Sequence, residues 1–72
     1  MKYECAFDFT VCNPLKSTFT GKKGTIELEI EKPLSLEEIS NLKKDERFAR
    51  WLGGEIKQKN LFMLTVTSIT KL

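Results

Sequence analysis

Residues 25–31 read Thr25-Ile26-Glu27-Leu28-Glu29-Ile30-Glu31, with aliphatic and acidic side chains alternating after the opening threonine. Successive side chains of a strand point to opposite faces. As a strand, this segment buries Ile26, Leu28 and Ile30 and projects Glu27, Glu29 and Glu31 together. The same period occurs upstream. Tyr3, Cys5, Phe7, Phe9 and Val11 alternate with Lys2, Glu4, Ala6, Asp8 and Thr10, which predicts a first strand with one apolar face. Asn13-Pro14 breaks that strand, because proline cannot donate to a ladder and restricts the residue before it. Residues 13–23, with Lys16, Gly21, Lys22 and Lys23, read as a polar connection, and the second strand stops at Lys32-Pro33.

A helix follows. Ser35-Leu36-Glu37-Glu38 is a capping box, and both glutamates suit the positive end of a helix dipole. The helix is expected to run to about Leu52, with Gly53-Gly54 as its stop. Ile39, Leu42, Ala49 and Leu52 share a stripe, whereas Phe48 and Trp51 fall off its centre. A break near Lys44-Asp45, with Asp45 capping a second short helix, would turn both aromatics inward; a continuous helix and a broken one both fit. Leu61 to Leu72 reads as a third strand. Phe62, Leu64 and Val66 share one of its faces, and Leu61, Met63, Thr65 and Thr67 the other.

The expected fold is therefore α+β in the order ββαβ, one domain over residues 1–72, with one helix packed on one face of a three-stranded mixed sheet. A right-handed crossover makes strand three parallel to strand two, and the simplest sheet has the order 2-1-3. Its open face then carries Glu4, Asp8, Glu27, Glu29 and Glu31, with Leu61 and Met63 on strand three. Strand three is an edge without proline and with few charges to blunt it.

A 72-residue chain buries only about 60% of its unfolded surface, so its core needs supplementing. Metal is not expected, since there is no His and the two Cys stand apart. If Cys5 and Cys12 share one extended strand, roughly 23 Å separates them. A disulfide needs Cα atoms within about 7 Å. Free thiols suit a reducing cytosol. A homodimer is the remaining supplement, built through the strand-three edge or the face carrying Leu61, Met63 and Thr65. No segment approaches the roughly 20 apolar residues of a membrane span, and the first residues lack a secretory pattern.

Catalysis finds little support. Neither cysteine has a histidine base, the glutamates stand on an open face rather than in a pocket that separates their pKa values, and Gly21-Lys22-Lys23-Gly24 is no P-loop. No cofactor is expected. Binding has three candidate surfaces. Glu27, Glu29 and Glu31 form a carboxylate row that reads either as a solvated face or as a phosphate-backbone mimic, though the net charge of +2 is unlike the acidic balance of such mimics. Arg47, Arg50 and Trp51 combine residue types common at hot spots, set against burial of Trp51 on the sheet. Lys43, Lys44, Arg47 and Arg50 could bind nucleic acid, or simply be a solvated helix face near its negative end.

The aromatic strand Tyr3–Val11, the Phe19-Thr20-Gly21 segment, the acidic strand Glu27–Glu31, the Lys32-Pro33-Leu34 helix entry and the Leu52-Gly53-Gly54 exit together resemble the layout of small bacteriophage-encoded accessory proteins. The layout is also similar to that of some phage inhibitors of host uracil-DNA glycosylase, which are small ββαβ dimers; no inhibitory residue carries over. The resemblance implies a non-catalytic phage or prophage protein in the bacterial host cytosol that binds and inhibits or redirects a host protein. A small nucleic-acid-binding module using Lys43, Lys44, Arg47 and Arg50 is the alternative.

Overall fold

In the computed structural model, which describes residues 1–72, Asn13 starts a tight turn. Its side-chain oxygen accepts from Leu15 N at 3.1 Å and Lys16 N at 3.3 Å. Ser17 takes the left-handed conformation (φ 51°), a cost that a tight turn can impose on a small polar residue. The turn joins β1 (Lys2–Asn13) to β2 (Thr18–Glu29) as a long antiparallel hairpin. The expected polar connection over residues 13–23 is thus mostly strand. β2 is an edge, where glycine and lysine tolerate a ladder that a central strand would not. The strand also ends at Glu29, so Glu31 lies outside it.

Ser35 caps α1 (Leu36–Lys44): its hydroxyl accepts from Glu38 N at 3.1 Å, and Ser35 N donates to Glu38 Oε1 at 3.0 Å. Asp45 then breaks the helix. Its N–H donates to Leu42 O at 3.2 Å, closing α1, while its carboxylate accepts from Arg47 N at 2.8 Å, opening α2 (Glu46–Ile56). Two helices therefore stand where a single one is expected. Gly53-Gly54 does not end the second; Lys57 does, in the left-handed conformation.

β3 (Leu61–Lys71) completes an α+β sheet of order β2-β1-β3, with β1 antiparallel to both neighbours. Every ladder is antiparallel, so the expected mixed sheet is corrected: β2 and β3 run the same way but do not touch. Odd-numbered β1 residues Tyr3, Cys5 and Phe7 form the core with Leu28, Leu52, Val66 and Ile69. Ile39 and Leu42 of α1 and Phe48 and Ile56 of α2 pack against it. Tyr3, only 2% exposed, accepts a hydrogen bond from Leu34 N at 2.9 Å. That bond ties the crossover to the sheet and satisfies a phenol that would be costly to bury unpaired. The helices leave the other sheet face open.

Two bulges shape β3. Val11 pairs with Leu61 and Thr10 with Met63, leaving Phe62 as the extra residue; Phe7 pairs with Val66 and Ala6 with Ser68, leaving Thr67. A one-residue insertion switches which face the following side chains occupy. Leu61 consequently sits on the helix side, within reach of Gly53, and not beside Met63 on the open face.

Candidate functional site

The open face follows from the hairpin register, in which paired residue numbers share a face. Glu4 lies opposite Glu27, Asp8 opposite Lys23, and Cys12 opposite Phe19. On the other side of β1, Asp8 pairs with Thr65 and Thr10 with Met63. The face therefore has an acidic end and an aromatic end. At the acidic end, Lys2 Nζ stands 3.4 Å from Glu27 and the N-terminal ammonium 3.7 Å from Glu29. Both pairs are exposed, where such contacts contribute little but offset the local charge. The carboxylate row thus reduces to Glu27 and Glu29, each beside a cation, with Glu31 past the strand.

At the other end Phe19 and Phe62 reach over β1 from its two neighbours, with ring centroids 4.9 Å apart and planes tilted by 55°. With Met63 they are each more than half exposed. Between the two ends runs a shallow trough of about 380 Å³ lined by Asp8, Thr10, Gly21, Lys23, Met63 and Thr65. Nothing lies within 4 Å of the place a Gly21 side chain would occupy, so the trough is open to an approaching surface. Clustered apolar groups in an uncovered face mark a contact surface more often than isolated ones do.

Of the residues expected to form a dimer contact, Met63 and Thr65 lie on this face and Leu61 does not. Phe19 and Phe62 carry no such expectation, because Phe19 falls in the segment read as a loop. The constant register of an extended hairpin, pairing Phe19 with Cys12, is the signal that reveals the first of them.

The helix end differs from expectation. Arg47 and Arg50 are exposed on α2, and Arg47 Nε stands 3.6 Å from Asp45. Trp51 is neither buried nor free: it stacks on Phe48 at 5.7 Å and stays 48% exposed. Lys43 and Lys44 occupy the last turn of α1, exposed, where they complement the helix dipole.

Cys5 is fully buried and burial pushes its thiol up, which disfavours the reactive thiolate. Both cysteines are free. No group of three His, Cys, Asp or Glu side chains could hold a metal ion. No helix is long and apolar enough to cross a membrane. Comparisons with protein-family models, curated proteins and solved structures give no match.

Proposed function

We propose that this chain is a non-catalytic interaction protein that acts as a homodimer and binds, and so inhibits or redirects, a partner protein. One observation carries the reading: the fold leaves a full sheet face uncovered, with Phe19, Phe62 and Met63 clustered at one end of it. Burying the exposed part of those three side chains would add roughly 1–2 kcal/mol each in apolar transfer. That matters for a chain with only seven buried residues. The dimer contact is centred on Met63, Thr65 and the two phenylalanines. The buried Cys5 thiol and the openly solvated Glu27 and Glu29 give no support to catalysis. The layout resemblance supports a bacteriophage or prophage origin, the host cytosol as the compartment and a host protein as the partner.

Sedimentation velocity tests the dimer, with a dimer expected at high micromolar concentration and a monomer for Phe19→Glu with unchanged circular dichroism. A monomeric wild type at that concentration overturns it. Partner binding is tested by affinity capture from bacterial lysate with wild type and a Glu27/Glu29/Glu31 triple substitution; the absence of any saturable partner counts against the reading. Salt-sensitive shifts of a single-stranded oligonucleotide, lost on replacing Lys43, Lys44, Arg47 and Arg50, would instead favour the nucleic-acid alternative.

A further inference from the structure

β3 forms one border of the sheet and has β1 as its only hydrogen-bonded neighbour. Alternate backbone N–H and C=O groups along it therefore point out of the sheet. Neither charge nor proline interrupts the strand from Leu61 to Thr70, so of the usual devices that blunt an edge only the two bulges are present. Beside this edge, α2 and β3 frame a groove of about 330 Å³ lined by Ala49, Arg50, Gly53, Leu61, Phe62, Met63 and Leu64. Its helix wall is low. Ala49 and Gly53 present almost no side chain, and a Cβ on Gly53 would stand 3.1 Å from Leu61 Cδ2.

Resting on the reading of the chain as an interaction protein, we propose that this groove receives an extended segment of the partner protein, which adds to the β3 edge as a fourth strand and sets a carboxylate on Arg50. Strand addition supplies main-chain hydrogen bonds, and alternate side chains supply specificity. Side chains of the added strand on the helix side would lie over the low wall formed by Ala49 and Gly53, against Leu64, where an aliphatic group suits the apolar lining. Arg50 is the only charged residue of the lining and takes part in no ion pair. Its fork of donors suits a carboxylate held in two bonds.

The bulges decide between a partner segment and a second β3. They divide β3 into two regular runs of four residues, Met63–Val66 and Ser68–Lys71, each about 13 Å of strand; the first adjoins the groove. Two copies pairing edge to edge would each bring their own bulges and match over only one such short run at a time. A short peptide needs no more than the run beside the groove.

The test is selection of short peptides from a displayed random library on the intact protein, followed by anisotropy titration of the synthetic winners. Expected winners alternate apolar residues and carry Asp or Glu. Ala49→Trp, which fills the groove, should weaken them by about tenfold or more, equal to about 1.4 kcal/mol. Arg50→Glu, a surface change that leaves the fold intact, should shift the selected charge from acidic to basic. Amide shifts on binding should centre on Met63–Val66. Failure to enrich any peptide overturns the proposal, as does equal affinity for wild type and both variants. So does loss of the dimer in Ala49→Trp or Arg50→Glu, which would make a second copy the occupant. Phe19 touches the groove only through Phe62, so in a Phe19→Glu background the Ala49→Trp and Arg50→Glu effects on peptide binding should persist while the dimer is lost, and the dimer reading and the groove fail separately.

Discussion

Phe7 lies across Gly24. A Cβ built on Gly24 would stand 2.8 Å from the ring's Cζ and 2.9 Å from its Cε2, and the two residues are direct partners in the hairpin register. The ring, only 3% exposed, fills the place that a β2 side chain would normally take. Glycine weakens most strands, but here an aromatic from the neighbouring strand covers it.

Gly24→Ala should therefore destabilise the fold. Lower unfolded-chain entropy would favour alanine by roughly 0.4–1 kcal/mol. Forcing a buried ring aside costs about 1–3 kcal/mol, which is the larger effect. A urea titration should show the midpoint fall. In a Phe7→Leu background the same change should cost much less, and equal costs in both backgrounds would refute the contact as the cause.

Asp45 gives the helices a pH dependence. Hydrogen bonding from the Arg47 backbone, with smaller help from the Arg47 charge, holds its carboxyl below the ordinary range. Glu38 is lowered in the same way by the Ser35 backbone N–H and hydroxyl. A carboxyl lowered in the folded state stabilises above its unfolded pKa, about 4, and that contribution is lost as pH falls through the lower folded value. Helical circular dichroism in a fixed, partly denaturing urea concentration should fall between about pH 5 and pH 3. Asp45→Asn keeps a capping side chain and should flatten part of that slope, whereas Asp45→Ala should also lower the signal at neutral pH. An unchanged slope in an Asp45→Asn, Glu38→Gln double variant would refute the assignment.

The two thiols should separate kinetically. Cys12 is partly exposed and Cys5 fully buried with its thiol pushed up, so a thiol reagent should label one cysteine in native protein and the second only in denaturant. Mass spectrometry would assign the fast site. Labelling of Cys5 at the same rate as Cys12 would mean that the sheet opens at its core.

Alternation alone makes the apolar faces of β1 and of the second half of β2 legible, and the crossover rule makes the 2-1-3 order legible. The first half of β2 is hidden because Gly21, Lys22, Lys23 and Gly24 have loop composition. Their strand conformation comes from the β1 backbone opposite and, at Gly24, from the Phe7 ring. The break at Asp45 is visible as an alternative through capping chemistry. The exit at Gly53-Gly54 misleads, since at Gly53 the small residue serves close approach to Leu61 rather than termination. The site is less legible than the fold. Glu27, Glu29, Met63 and Thr65 share the open face, but the Phe62 bulge moves Leu61 off it, and a bulge leaves no mark in apolar periodicity.

The central position of β1 sets the order of events on the ribosome. Its partner on one side, β2, follows within a few residues, whereas β3 is made only after residue 60. At roughly 5–20 residues per second, Tyr3, Cys5 and Phe7 wait about two to eight seconds after the hairpin is complete for Val66 and Ile69 to cover them. A chain in which only the hairpin has formed presents a greasy face with an open seam on β1. Any chaperone that guards this protein during translation would meet it there.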